Sequence, residues 1–247
     1  MYFEFPNTKV RVLGSLHMVP AGSDEVPTWA RSAYDWCETM VVEHDPPSLL
    51  PLFKSNSSRP SRLQPHILAA LEQFWPGQGP LSPLRELRPW AALIGLAVLN
   101  QQTVNGIEPN FLRWAAEHAK PVRYLETASD VVRSFDSAPL EDIEASIEMA
   151  LPDLPLMQRR LIEMHSAWLS RDRERLLSVA ASAPLFSFPS LRQAVLENRN
   201  RAWAPVVDRM LQTSERTLVV VGALHLCGAG SLEQYLGREL LPIRSVA

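Results

Sequence analysis

The chain is short of cysteine, of glycine and of long uncharged runs. Its only cysteines are Cys37 and Cys227 in 247 residues, too few for a disulfide framework and wrongly spaced for a thiolate metal site. Both read as ordinary thiols of a reducing compartment. No stretch reaches the roughly 18 apolar residues that a membrane-crossing helix needs. The longest candidate, Trp90 to Leu99, is about ten residues and reads as a buried helix. The opening Met1-Tyr2-Phe3-Glu4-Phe5-Pro6 has neither the basic segment nor the apolar core of a secretory signal. These absences predict a cytoplasmic protein with no membrane span. A basic excess is missing too: 24 Lys and Arg against 27 Asp and Glu leave a net charge of -3. With no basic cluster interleaved with aromatics, nucleic acid is excluded as a partner.

What is present is an ordinary core. With 46% hydrophobic and 21% charged residues, the chain can bury one substantial interior, so residues 1–247 are expected to form a single domain. Val10 to Leu13 is an apolar run broken only by Arg11 and ending in Gly14, which predicts a buried strand. Pro27 opens a helical stretch through Trp29, Ala33 and Trp36, and Met40-Val41-Val42 makes a second strand closed by Glu43-His44-Asp45. Residues 1–45 thus read as a βαβ unit. From about Pro46 to Pro65 the Pro, Ser and Asn content predicts an exposed loop. Residues 66–211 are mainly helical in pattern, interrupted at prolines and glycines, with a strand near 122–126 ending at Glu126. Thr217 to Val221 is another buried run, followed by a glycine-rich turn, a helix from Ser231 and a closing run Leu240 to Ile243, a second unit over 217–247.

The two end units share a motif. Gly14-Ser15-Leu16-His17 matches Gly222-Ala223-Leu224-His225, and eight residues after each first glycine stands another, Gly22 and Gly230. The repeat predicts two βαβ units packed side by side, giving an α/β fold with a mainly parallel central sheet and a large helical insertion. In such sheets ligands bind beyond the carboxyl ends of the strands, where His17, Glu43, Glu126 and His225 would converge. Two imidazoles and two carboxylates make a mixed nitrogen and oxygen set suited to a divalent Mn, Co, Fe or Zn ion, a pattern that points to hydrolysis. In that chemistry Glu43 or Glu126 takes the proton of the attacking water instead of binding the ion. Strand alternation places His44 on the face opposite Glu43 and Asp45 on the same face. Ser231 with Gln234 fits a capping box, whose helix would aim N–H groups at the crevice. Arg199 and Asn200 could add contacts to an anion.

These residues resemble the TraB/GumN (TraB/PrgY/GumN) family, related to the Tiki metalloproteases. The resemblance runs from Gly14-Ser15-Leu16-His17 through Val42-Glu43, Arg88-Pro89-Trp90, Gly106-Ile107-Glu108, Lys120-Pro121 and Leu125-Glu126-Thr127 to Arg199-Asn200, Trp203 and Gly222-Ala223-Leu224-His225. It implies a Tiki-like fold, shared with haem-binding ChaN, with His17, Glu43, Glu126 and His225 as the metal site and Arg199 and Asn200 in support. It implies a metal-dependent peptidase acting on a peptide or small-molecule substrate. The chain departs from the family at Val131, where Gln is common, and at Gly230 and Ser231, where an acidic residue and glycine are usual. Two other readings use the same crevice: a binding protein that holds a peptide signal or haem without turnover, and a metal-free esterase with histidine as base.

Overall fold

A computed structural model describes residues 1–23, 25–55, 62–75, 81–99 and 101–243. Its strands are β1 (Tyr2–Glu4), β2 (Val10–Ser15), β3 (Met18–Pro20), β4 (Thr39–Val42), β5 (Thr103–Asn105), β6 (Val122–Tyr124), β7 (Thr217–Gly222) and β8 (Leu241–Pro242). Six of them form one sheet in the order β6-β4-β7-β2-β1-β8, and β3 pairs with β5 as a separate antiparallel ribbon. The four strands β6, β4, β7 and β2 run parallel, while β1 pairs antiparallel with both β2 and β8. The fold is therefore mixed α/β around a mostly parallel sheet. Every residue of β4 and β7 is buried, as strands covered on both faces require.

The two glycine-histidine units do not lie side by side. β7 enters between β2 and β4, so that Val219 is opposite Val12 on one side and Val41 on the other. The apolar run Thr217–Gly222 thus takes the most shielded place in the sheet, and the two units interleave. The closing strand β8 is three places from β7 and pairs with β1.

The helices are α1 (Thr28–Trp36), α2 (Pro46–Leu49), α3 (Pro65–Glu72), α4 (Pro89–Leu99), α5 (Glu108–Glu117), α6 (Ala128–Asp136), α7 (Leu140–Leu169), α8 (Arg173–Ala181), α9 (Pro189–Arg192), α10 (Asn198–Met210) and α11 (Leu232–Leu236). Two apolar cores result. One surrounds the sheet; the other is built by the insertion from residues such as Leu71, Leu87, Leu96, Val131, Phe135 and Ile147. The segment expected as a loop from Pro46 instead starts with α2 and a 3-10 turn, Leu50–Phe53, because Leu49 finds burial in the second core. The rest of that expected loop includes residues 56–61, which lie outside the described set.

α7 joins the two cores. It runs for 30 residues straight through Pro152 and Pro155, where breaks were expected. Both prolines are exposed, and the helix survives their missing N–H groups because packing holds it on either side. Ile143, Ile147, Ala150 and Met157 enter the insertion core, and Ala167 and Trp168 enter the sheet core. The Trp168 indole donates to the Gly14 carbonyl at 2.7 Å, so the first motif is fixed from the insertion. Removing a ring buried like this costs about 3–5 kcal/mol. Among the described residues no helix is long and apolar enough to cross a membrane.

Candidate functional site

Glu43 follows directly on the buried end of β4 and is only 4% exposed. A bare carboxylate there would be costly, and the Gly222 N–H, Arg199 and His17 compensate it. The Gly222 N–H donates to Oε1 at 2.5 Å and Arg199 Nη2 donates to Oε2 at 2.5 Å. His17 Nε2 and His225 Nε2 both face Oε1, at 3.7 and 3.8 Å. Burial pushes the Glu43 pKa up, yet Arg199, His225, His17 and the Gly222 N–H outweigh it and hold the carboxyl well below the usual carboxylate range.

The space over Gly222 belongs to these donors. A Cβ at residue 222 would stand 3.2 Å from His17 Nε2, 3.3 Å from Glu43 Oε1 and 3.5 Å from His225 Cδ2. Glycine here keeps open a cradle rimmed by two imidazoles and a carboxylate.

His225 lies in a 3-10 turn, Ala223–Leu226, at the end of β7 and is 2% exposed. Its tautomer follows from its neighbours. Asn200 Nδ2 donates to the carbonyls of His225 and Gly230, at 3.3 and 2.8 Å, so Asn200 Oδ1 is the acceptor for His225 Nδ1 at 2.7 Å. Nε2 therefore carries the lone pair, and Arg199 Nη1, which can only donate, meets it at 3.3 Å. Burial, with Arg199 and His17 adding to it, lowers the His225 pKa to about 3 against the pull of Glu43. The ring is neutral at pH 7.

His17 is held differently. Its carbonyl accepts from the Gly106 N–H at 2.8 Å, where the β3-β5 ribbon passes so close that a Cβ on residue 106 would sit 1.7 Å from the Leu16 carbonyl oxygen. That approach places Glu108, the first residue of α5, beside the ring. Glu108 Oε1 meets His17 Nδ1 at 2.8 Å and accepts from Ser15 Oγ at 2.5 Å. Desolvation lowers the His17 pKa, but Glu108 and Glu43 raise it further, to about 9. The imidazole side chain is 59% exposed, so water screens part of both pulls.

Arg199 lies between two carboxylates. Nε donates to Glu126 Oε1 at 2.9 Å, and Nη2 is shared between Glu126 Oε1 and Glu43 Oε2. Its guanidinium lies 4.7 Å from the centre of the Trp203 ring, and a π-helical turn, Gln193–Glu197, leads into α10 just before it. Such turns are frequent at functional sites. The Glu43 carbonyl accepts from both the Leu125 and Glu126 N–H groups, tying the two acidic strand ends together. Burial raises the Glu126 pKa even though Arg199 opposes it.

His17, Glu43, His225 and Arg199 therefore meet at one centre, with Asn200 behind His225 and Glu126 across the guanidinium. His44 joins them against the alternation argument. β4 ends at Val42, the period of two lapses, and Glu43, His44 and Glu126 each bring one ligand atom within 4.8 Å of the others. That group could hold a metal ion. The expected capping box at Ser231 does not form: the Ser231 side chain makes no cap bond, and Gln234 Oε1 accepts from the Gly230 N–H. No residue of α11 lines the cavity at the site, which is bounded by residues including His17, Glu43, His44, Glu108 and Arg199. Glu108 and Ser15 were not expected at the site; the glycine two residues before Glu108 was the available signal.

The profile of the TraB/PrgY/gumN family matches residues 3–239. The chain belongs to this family. Within it, the uncharacterized protein YbaP of Escherichia coli (strain K12) is 26% identical over 239 residues, covering 93% of this chain and 88% of the relative. YbaP of Shigella flexneri matches to the same extent. No solved structure matches the chain.

Proposed function

We propose that this TraB/PrgY/gumN protein is a divalent-metal-dependent hydrolase acting on peptide bonds, with the ion held by His17 Nε2, Glu43 Oε1 and His225 Nε2. The observation that carries the reading is the space over Gly222: His17 Nε2 and Glu43 Oε1 border it with His225 Cδ2 beside them, and His225 Nε2 stands 3.8 Å from the same Oε1. Both rings are already held by their other nitrogen, His17 by Glu108 and His225 by Asn200, the arrangement that orients metal-ligating histidines and sets their tautomer. Donors of this kind suit Mn, Co, Fe or Zn.

A bound ion of this kind supplies Lewis-acid polarisation of a substrate carbonyl. The chain's own residues prepare the site. Arg199 keeps Glu43 ionised and balances the buried charge of Glu126. Asn200 fixes the His225 lone pair on Nε2, which stands 3.8 Å from Glu43 Oε1. His17, protonated at neutral pH by its two carboxylate neighbours, gives up that proton when an ion takes its Nε2. A second group, Glu43, His44 and Glu126, brings three ligand atoms within 4.8 Å of one another and is the alternative position for the ion.

The test is titration of chelator-treated protein with Mn, Co, Fe and Zn salts by calorimetry, followed by mass spectrometry of a peptide library. One ion per chain is expected, with proton release, loss of binding in His17→Ala and His225→Ala, and ion-dependent cleavage. Undiminished binding in the double variant, or no binding at all, overturns the reading.

A further inference from the structure

We propose that the cavity beside the cradle is a seat for one large apolar side chain of the substrate, so that the site selects peptides by a leucine-like or phenylalanine-like residue next to the bond it acts on. This rests on the hydrolase reading and assigns its substrate class. The cavity holds about 360 Å³ and has two dissimilar walls. One carries His17, Glu43, His44, Asn105, Glu108 and Arg199. The other is apolar and is built from separate elements: Phe53 from the 3-10 turn after α2, Ile94 from α4, Leu112 from α5 and Phe135 from α6. It lies on the seam between the two cores, since Phe135 belongs to the insertion core and Leu112 packs on the sheet core.

The polar wall does not invite a charged side chain. Arg199 is occupied by Glu43 and Glu126, and Glu108 by His17 and Ser15. A substrate carboxylate would meet Glu43 and Glu108, while a lysine or arginine would meet Arg199 and His17. A carboxylate would face Glu43 and Glu108 across an Arg199 already shared by two carboxylates, and a cation would find only Glu108 Oε2 without a partner, against the opposing charges of Arg199 and His17. An apolar group removes the opposite wall from water at no electrostatic cost. The volume is near the lower end of small-ligand pockets, roughly 300 to 1,000 Å³, which suits one side chain with its flanking backbone. Apolar pockets of this kind discriminate by about 10- to 200-fold per methylene.

The experiment has two arms. In the first, the N-acetyl amides of leucine, phenylalanine, alanine, lysine and glutamate are titrated into the ion-loaded chain and followed by NMR shifts. Leucine and phenylalanine amides are expected to bind at least about 10-fold more tightly than the rest. Ile94→Asp and Phe53→Asp, each checked for folding by circular dichroism, should abolish that preference and leave ion stoichiometry unchanged. In the second arm a peptide library is cleaved and the residues flanking the cut are read. Equal binding of all five amides, or a preference that survives in both folded variants, overturns the apolar seat. Cleavage with no apolar bias on either side of the cut overturns it too, while leaving the hydrolase standing. A library untouched with every ion sinks the hydrolase instead, and the amide titration still decides the seat.

Discussion

Arg199 Nη2 stands 2.5 Å from Glu43 Oε2, and both side chains are only 5% exposed. With Glu126 on its other edge, this guanidinium is what permits two carboxylates to remain buried side by side.

Arg199→Ala should therefore destabilise the fold by about 3–5 kcal/mol, the cost of leaving buried charges unpaired. Adding Glu126→Gln to that variant should restore part of the loss, because one of the stranded charges disappears. Urea unfolding at pH 7 measures both. A loss under about 1 kcal/mol for Arg199→Ala would show that Glu43 and Glu126 do not depend on it.

Two glycines make opposite predictions. Gly222→Ala puts a methyl into the cradle, 3.2 Å from His17 Nε2 and 3.3 Å from Glu43 Oε1. Neighbours must give by only a few tenths of an ångström, so folding should weaken by about 1–3 kcal/mol while ion binding is lost. Gly106→Ala drives a Cβ to 1.7 Å from a backbone oxygen, and should unfold or rearrange the β3-β5 ribbon. Thermal unfolding beside ion titration separates the two; equal destabilisation by both would contradict this.

Acid should weaken the fold through its buried imidazoles. The His225 pKa is lowered to about 3 by burial, and that of His44 to about 4 for the same reason. In the unfolded chain both titrate near 6.5, so between that value and the lowered ones the unfolded state binds more protons. Stability then falls as pH drops from about 6.5 toward 4, by on the order of 1 kcal/mol per pH unit for the fully buried His225. His225→Asn should flatten the slope. An unchanged slope in urea titrations would assign the acid sensitivity elsewhere.

Glu108→Gln removes the charge that orients His17. Because Glu108 acts through the ring, ion affinity should drop about 10- to 100-fold, and the His17 pKa should fall back toward its ordinary value in an NMR titration. The Ser15 contact can persist to the amide oxygen, so unfolding should move little. Retained affinity with a shifted His17 pKa would separate the two roles.

Much of this arrangement could be read in the sequence, and the reasons it could not all be read are physical. Uninterrupted apolar runs revealed β2, β4 and β7, and the paired glycine-histidine motifs picked out His17 and His225. Strand ends located Glu43 and Glu126. Periodicity says nothing about strand order, however, so the entry of β7 between β2 and β4 was hidden. Glu108 reaches His17 through a short ribbon, β5, whose three residues carry too little pattern to be recognised alone. Pro152 and Pro155 are breakers by local rule, and only the two cores that α7 spans override them. His44 escaped because alternation holds within a strand, and β4 stops one residue before Glu43.

The central position of β7 also gives the site an order of assembly in time. A nascent chain that has emerged only as far as α10 already carries His17, Glu43, Glu126 and Arg199. It lacks the strand that β2 and β4 both pair with, the Gly222 N–H that Glu43 accepts from, and His225 itself. The earlier strands must wait for a partner encoded 207 residues after β2 and 178 after β4, a long-range closure of the kind that slows folding. A chain still attached to the ribosome, or cut short before residue 217, therefore carries an incomplete site.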